Sequence, residues 1–304
     1  MSTILAETGS ESDVAASRLH AITASTTIQL LTSGFEAEAL TFLSQRPIHT
    51  VSMAGLIIEN GLISPLNRGE FYACRNRLGQ LEGVALIGHA TLIEAHSDTA
   101  LEAFALLAQD NTRAHLIRGE MEMIERFLDY YTTGKCSPRL ICRELLLEQR
   151  QSVMTYERVN DLRTATLDDL EPILIVNDSM IFEECGVNPL QKDPVGFRQR
   201  TARRIERGRV WVWIERGRLL FKADVISDTP EVIYLEGVYV NPEERGKGYG
   251  LRCLTQLGVQ LLRRANSICL LVNEHNQAAL NFYHKAGYTQ QGRYDTIYLK
   301  QQLP

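Results

Sequence analysis

The stretch Leu235-Glu-Gly-Val-Tyr-Val-Asn-Pro-Glu-Glu-Arg-Gly-Lys-Gly-Tyr-Gly250 joins a strand, a turn at Asn241-Pro242 and a glycine-rich turn. An apolar helix follows it, marked by Leu251, Leu254, Leu257, Leu261 and Leu262. Alternating glycines let the backbone approach a bulky ligand, and the unpaired N–H groups and dipole of a helix N-terminus favour an anion. The pattern therefore predicts an anion cradle that suits a pyrophosphate.

Two other glycine-rich motifs do not fit this stretch. A Rossmann fingerprint would need glycine at the position of Leu251, together with a distant acidic partner. A P-loop would need a closing Gly-Lys-Ser or Gly-Lys-Thr, which the stretch lacks. We set both motifs aside.

A second pattern follows the cradle after an intervening strand. Arg245-Gly-Lys-Gly-Tyr-Gly250 resembles the R/Q-x-x-G-x-G/A signature of the GNAT superfamily of acyl-CoA-dependent acyltransferases. The run from Asn276 through Ala279 and Tyr283 to Gly287-Tyr288 resembles that family's second signature, N-x-x-A-x-x-x-Y-x-x-x-G-F/Y. Two signatures in the right order make residues 153–304 resemble a GNAT N-acetyltransferase with acetyl-CoA as cosubstrate.

The resemblance implies a role for each matching residue. Val238, Tyr239 and Val240 would pair with the pantetheine arm of the cofactor. Tyr283 would lie at the cofactor and protonate the departing thiolate, because a phenol can donate a proton within hydrogen-bond reach. An amide near Tyr239 could polarise the thioester carbonyl. The other predicted cofactor contacts are Arg245, Gly246, Lys247, Gly248, Tyr249, Gly250 and Asn276.

The attacking amine must be neutral, so a base or a water relay is expected. Glu236 is two residues before Val238, which places both on one strand face and makes Glu236 our candidate base. Glu183 and Glu184 are candidates for attracting a cationic acceptor. Structural alternatives stay open: Glu236 as a solvated carboxylate, Tyr283 as packing, and Asn276 as a helix cap.

The order of elements predicts an α/β fold of the α+β type. We expect two GNAT-like halves, each a mixed, mainly antiparallel sheet flanked by helices. The predicted divisions are a leader at 1–26, an N-terminal domain at 27–152 and the catalytic domain at 153–304. The N-terminal half lacks both signatures, so it resembles a degenerate GNAT half. It could shape the acceptor pocket, dimerise or persist as an inactive partner.

Local patterns give further expectations. Helical spacing from Ile28 to Leu43 predicts a helix ending near Pro47, and Leu140 to Leu147 is either strand or helix. Lys222 stands in an apolar strand, where its stem could run along the surface with its charge in water.

Composition excludes several classes of function. The 304 residues carry 32 Lys+Arg against 37 Asp+Glu, a net charge of -5, so no global basic field attracts nucleic acid. The arginines between 198 and 209 are interpreted as a solvated face. The sequence shows neither an apolar membrane span, an export signal nor a metal-ligand motif, and its six cysteines form no CxxC pair. We expect a cytoplasmic protein without a metal.

The function predicted from these features is transfer of the acetyl group of acetyl-CoA directly to a primary amine. The acceptor could be a small molecule or a protein, and a homodimer is compatible with the sequence. The alternative is a CoA-binding sensor or scaffold without turnover. A nucleic-acid-associated acyltransferase using the arginine run ranks third.

Overall fold

The structure is a computed structural model of the chain. It describes residues 26–111, 114–131, 138–153 and 158–300. The predicted leader therefore lies outside the described residues except for its last position, and Cys136 lies outside them as well.

One mixed sheet of twelve strands runs through the described part of the chain. Its order is β1-β2-β3-β4-β5-β12-β6-β11-β10-β9-β8-β7. The neighbours are antiparallel except for two parallel pairs, β4 with β5 and β10 with β11. The strands are β1 Thr26–Leu30, β2 Gly69–Asn76, β3 Leu81–Gly88, β4 Ala90–Ala95, β5 Leu116–Glu120, β6 Pro138–Gln149, β7 Arg163–Thr164, β8 Val210–Glu215, β9 Arg218–Asp228, β10 Val232–Val240, β11 Ser267–Asn273 and β12 Thr289–Leu299.

Helices cover both faces of the sheet, which confirms the predicted α/β class with a mainly antiparallel sheet. The α-helices in the described residues are α1 Glu36–Leu43, α2 Pro47–Asn60, α3 Asp98–Gln109, α4 Met121–Tyr131, α5 Leu170–Cys185, α6 Pro189–Lys192, α7 Pro194–Glu206, α8 Tyr249–Leu261 and α9 Gln277–Lys285. Helices α3, α4, α8 and α9 pack on one face, here called the cofactor face. Helices α1, α2, α5 and α7 pack on the other, here called the acceptor face.

The two halves share the sheet because each contributes a strand to the other. Strand β6 precedes the predicted boundary at 152, yet it lies between β11 and β12. Strand β12, from the end of the chain, lies between β6 and β5. The two predicted domains thus exchange strands, and the division at 152/153 stays a prediction.

Helix α2 joins the halves on the acceptor face. A Cβ on Gly55 would lie 2.7 Å from Ser227 Cβ of β9, so the absence of a side chain allows this close approach. Glu59 at the C-terminal end of α2 accepts hydrogen bonds from Arg207, at 2.8 Å, and from Arg209. Two members of the arginine run therefore bind the N-terminal half.

Two local expectations are corrected by the structure. The stretch from Ile28 to Leu43 is not one helix: β1 ends at Leu30 and α1 begins at Glu36, with Gly34 at φ +103° between them. Pro47 begins α2 instead of marking a helix end, since proline suits the first helical turn, where its missing N–H costs no hydrogen bond. Leu140 to Leu147 lies within β6 and is strand.

A fragment of residues 153–304 should fail to fold cooperatively. It lacks β6, so β11 would lose its ladder along Ile268–Asn273 and β12 would lose its ladder along Thr289–Leu299. Unpaired central strands leave buried backbone groups without partners. Thermal unfolding followed by circular dichroism would test this, with a fragment of residues 137–304 as the matched control. A sharp transition in the shorter fragment, equal to that of the longer one, would contradict it.

Candidate functional site

A gap opens in the sheet where the parallel strands β10 and β11 separate. Their pairing ends at Leu235↔Leu270, although β10 continues to Val240 and β11 to Asn273. The backbone groups of residues 236–240 that point toward β11 therefore have no strand partner. Such groups can pair with an extended ligand. The predicted pantetheine-binding residues Val238, Tyr239 and Val240 all border this gap.

A β-bulge turns the second half of β10. Glu236 pairs with Asp224 and Tyr239 with Lys222, so Gly237 and Val238 together oppose one residue of β9. Gly237 has φ +59°, the conformation that glycine supplies in such bulges.

The bulge breaks the alternation of side chains along β10. Glu236 stays on the acceptor face, where Tyr234 Oη donates to its Oε1 at 2.7 Å. Val238 packs with Leu235 in the core of the cofactor face. The prediction that Glu236 and Val238 share one strand face is therefore wrong.

A buried ion pair supports the bulge from β9. Lys222 is fully buried, and its Nζ donates to Asp224 Oδ1 at 2.8 Å. Arg204 of α7 donates to the second oxygen of Asp224 at 3.0 Å. Burial lowers the pKa of Lys222, and the carboxylate of Asp224 opposes this shift. The expectation that Lys222 keeps its charge in water is wrong, because the whole residue is buried. Its ammonium lies under the bulge, 2.7 Å from where a Cβ on Gly237 would be.

The predicted cradle is an open loop at the start of α8. Gly246 and Gly248 have φ +80° and +82°, and no heavy atom lies within 4 Å of the position a Cβ would take on either. The first hydrogen bond of α8 runs from Arg252 N–H to the Gly248 carbonyl, at 3.1 Å. The amides of residues 249–251 therefore have no acceptor within the helix. Free amides beside open space fit a phosphate group.

Gly250 has a different role from the other two glycines. A Cβ on Gly250 would lie 2.5 Å from Val240 Cγ2 and 3.3 Å from the Phe282 ring. The start of α8, the end of β10 and helix α9 thus converge here, and a larger residue would push them apart.

The remaining cradle residues surround its rim. Arg245 Nε donates to the Val240 carbonyl at 3.2 Å, and Lys247 Nζ donates to Glu244 at 3.0 Å. Tyr249 lies edge-on to Trp213, with ring centroids 5.2 Å apart. Both basic side chains thus make hydrogen bonds close to the loop, and Lys247 is exposed to solvent.

The second signature lies on and beside α9. Asn276 Oδ1 accepts the Ala279 N–H at 3.0 Å, which confirms the capping role, and its contact with a cofactor stays a prediction. Tyr283 is 8% exposed and belongs to the core against which the partly buried Val238 and Val240 pack. Burial raises the pKa of Tyr283, so its phenol keeps its proton at neutral pH.

On the acceptor face, Glu236 belongs to a polar cluster drawn from both halves. Arg118 of β5 donates from Nη1 to Glu236 Oε1 at 3.2 Å and from Nε to Thr296 Oγ1 at 2.9 Å. Thr296 in turn donates to Glu144 Oε2 at 2.6 Å. The sequence did not single out Arg118, Glu144 or Thr296, because only the exchanged strands bring them next to Glu236.

Glu184, predicted to attract a cationic acceptor, borders the same cluster. Burial and the negative charges of Glu144 and Glu236 raise the pKa of Glu184 to about 7, although Arg118 opposes the shift. Both Glu184 and Glu183, each taken as a whole residue, are exposed at the end of α5. Glu184 therefore changes charge near neutral pH at the edge of this cluster.

The parallel pair of the N-terminal half has no comparable cradle. Only His96 and Ser97 connect β4 to α3, and Ser97 Oγ caps the helix by accepting the Ala100 N–H at 3.2 Å. Asp98 adds a negative charge in the first turn. These two side chains occupy the helix end that would otherwise favour an anion.

Two further findings concern the part of the chain that the structure describes. It contains no group of three or more His, Cys, Asp or Glu side chains arranged to hold a metal ion. None of its helices is long and apolar enough to cross a membrane.

The fold and the site define an α/β protein whose C-terminal half has an open glycine-rich loop beside two splayed parallel strands. The model of the Acetyltransferase (GNAT) family matches residues 179–288, which include both signatures. Residues 179–288 of this chain are therefore similar to the acetyltransferase domain of the GNAT family. No curated protein matches the chain.

Solved structures show a similar fold over most of the chain. A Drosophila protein aligns with a TM-score of 0.66 at 12% identity, covering 90% of this chain and 98% of its own. A tandem GNAT protein from the clavulanic acid biosynthesis pathway aligns with a TM-score of 0.56 at 11% identity, covering 92% and 99%. A GCN5-related N-acetyltransferase from Sphaerobacter thermophilus gives 0.53 at 15% identity, covering 90% and 95%. At these identities the likeness concerns the fold.

Replacing Glu184 with Gln should flatten the pH dependence of unfolding between pH 4.5 and about 7. The folded chain keeps a proton on Glu184 that the unfolded chain has released above pH 4.5, so this contribution is full below 4.5 and is lost as the pH rises to about 7. Solvent screening limits the effect to about 1 kcal/mol. Urea unfolding below, within and above this range would measure it, with Glu183→Gln as the control. An unchanged slope in Glu184→Gln would contradict the assignment.

Proposed function

We propose that this protein transfers the acetyl group of acetyl-CoA directly to a primary amine. The observation that carries the proposal is the position of the cradle: the free amides of α8 open beside the mouth of the β10–β11 gap. A pyrophosphate held at residues 245–250 would let an extended arm run along residues 238–240. The similarity of residues 179–288 to the GNAT family supports acyl transfer in general.

The two faces of the gap supply different groups to the reaction. Tyr283 belongs to the core of the cofactor face, and Glu236 lies on the acceptor face. A reacting group held in the gap can therefore be approached by an acid from one side and by a base from the other.

These groups account for the proton transfers. Acetyl-CoA, when bound, supplies a thioester whose carbonyl carbon accepts the amine. Glu236 takes a proton from the acceptor ammonium, directly or through a water, which frees the nitrogen lone pair. An amide of the bulged segment polarises the carbonyl oxygen. Tyr283 would give its phenolic proton to the sulfur as the carbon–sulfur bond breaks. The second proton of the attacking nitrogen, released as the amide forms, would restore the phenol by way of solvent.

Charge on the acceptor face favours a cationic acceptor. Glu144, Glu184 and Glu236 lie around the one guanidinium of Arg118. Nucleic acid fits poorly as a partner, because arginines between residues 198 and 209 form ion pairs with carboxylates of the protein itself. Arg200, for example, pairs with Asp193 at 2.9 Å. The described cysteines are free and buried, which supports our placement of the reaction in the cytoplasm.

Gly248→Glu should weaken acetyl-CoA binding about 100-fold, which corresponds to roughly 2.7 kcal/mol. The new carboxylate would enter the anion cradle from a backbone at φ +82°. Isothermal titration calorimetry with acetyl-CoA measures the change. Gly79→Glu is the matched control, because Gly79 has φ +78° and equally open surroundings in the β2–β3 turn. Equal affinity in the Gly248 variant and the wild type would contradict the cradle.

Tyr283→Phe should lower kcat by about 100-fold or more while leaving the Kd of acetyl-CoA within about twofold, because it removes a proton donor and keeps the ring. Release of CoA thiol with a panel of primary amines measures the rate. Tyr288→Phe is the control, since its buried hydroxyl has no hydrogen-bond partner in the described chain. Comparable rates for the two variants would remove Tyr283 from the acid role.

The same assay separates the enzyme from the sensor or scaffold alternative. A wild-type chain that binds acetyl-CoA and releases no thiol with any amine would support the alternative. A chain that does not bind acetyl-CoA would contradict both functions.

A further inference from the structure

We propose that Arg118, contributed by the N-terminal half, is a positioning residue that orients Glu236 for the acceptor amine. The inference rests on the function proposed above. It assigns the N-terminal half a direct part in the acceptor site.

The contact between Arg118 and Glu236 joins two strands that are far apart in the sheet. Strands β12, β6 and β11 lie between β5 and β10. Four steps across a flat sheet would separate the two backbones by about 19 Å. The 3.2 Å contact of their side chains therefore requires the acceptor face to be concave here. A concave face with a polar floor is a suitable place for a small substrate.

The guanidinium is anchored at one end and reaches Glu236 with the other. Its Nε donates to Thr296 Oγ1 at 2.9 Å, and Thr296 is itself fixed by its 2.6 Å bond to Glu144. Its Nη1 donates to Glu236 Oε1, the oxygen that also accepts the hydroxyl of Tyr234 at 2.7 Å. Two donors on one carboxylate oxygen leave the other oxygen of Glu236 for the acceptor.

Exposure agrees with this arrangement. The Glu236 side chain is 40% exposed and that of Arg118 is 21% exposed, whereas Glu144 is buried. The anchor is thus inside the protein and the oriented carboxylate opens to the groove. A purely structural ion pair would have no need to leave the carboxylate accessible.

Electrostatics also require a cation at this position. Burial raises the pKa of Glu144, and a third carboxylate, that of Glu184, lies close by. Burial opposes the charge of Arg118, but surrounding groups that include Tyr234 and Glu236 raise the pKa of its guanidinium well above the usual value. Without Arg118 the carboxylates would repel one another, and Glu236 would turn toward solvent.

A double-mutant cycle on the full chain tests the proposal. The variants are Arg118→Ala, Glu236→Gln and the pair together, assayed by thiol release with acetyl-CoA and the best amine of the panel. We expect Arg118→Ala to lower kcat at least tenfold, about 1.4 kcal/mol, with the Kd of acetyl-CoA unchanged. If Arg118 acts through Glu236, the double variant should be no slower than Glu236→Gln alone.

Chemical rescue gives a readout that a merely structural role would not move. Added methylguanidinium should restore several-fold of the lost rate in Arg118→Ala and none in Glu236→Gln. Arg118→Lys, which keeps the charge, should retain more activity than Arg118→Ala and serves if the alanine variant folds poorly. Arg75→Ala is the matched control, because Arg75 pairs with Glu38 at the far edge of the N-terminal half.

Several outcomes would overturn the inference. Multiplicative losses in the double variant, wild-type kcat in Arg118→Ala, or no rescue by methylguanidinium would each do so. An active wild type with any of these results refutes the role of Arg118 and leaves the proposed function intact. A wild type that neither binds acetyl-CoA nor releases thiol refutes the proposed function, and the inference fails with it.

Discussion

The separation of β10 from β11 after Leu235 is the constraint on which the site depends. The bulge at Gly237 turns β10 away, and the buried pair of Lys222 and Asp224 occupies the space behind it. A buried ammonium is costly unless it is paired, so this ion pair is stable only with its partners in place. The same bulge leaves Glu236 on the acceptor face and moves Val238 to the cofactor face. One local irregularity thus lies at the gap and places Glu236 and Val238 on opposite faces of the sheet.

The exchange of β6 and β12 explains why the two halves cannot be considered separately. Strand β6 carries Glu144 and strand β12 carries Thr296, and these two residues connect Arg118 of β5 to the neighbourhood of Glu236. Each residue reaches the cluster through a strand inserted into the other half. The shared sheet therefore brings residues of the N-terminal half close to the β10–β11 gap of the C-terminal half.

Local patterns predict the glycine turn at residues 246–250 and the helix after it, but not the contacts of the acceptor face. Gly246 and Gly248 have backbone conformations that favour glycine, and Gly250 allows close packing. Such glycine positions can be recognised from a short stretch of sequence. The helix cap at Asn276 is equally local. The strands on both sides of these turns were predicted for the same reason.

Long-range contacts escaped prediction because their partners are far apart in the chain. Lys222 looked anomalous in an apolar strand until Asp224 and Arg204 supplied its pairing. The shared face of Glu236 and Val238 followed from simple alternation, which a bulge of one residue reverses. Arg118 is 118 residues from Glu236, and no spacing rule joins them.

The parallel pair of the N-terminal half shows why topology alone does not make a cofactor site. Strands β4 and β5 separate after Leu92↔Arg118, as β10 and β11 do after Leu235. Beyond that point Arg46 bridges the two strands, bonding Glu94 at 3.0 Å and Glu120 at 2.6 Å. The helix that follows β4 starts with the Ser97 cap and the acidic Asp98 instead of a glycine-rich loop. Arg118 is the last residue of β5 in that parallel pairing, and its side chain reaches Glu236 at the start of the β10–β11 gap.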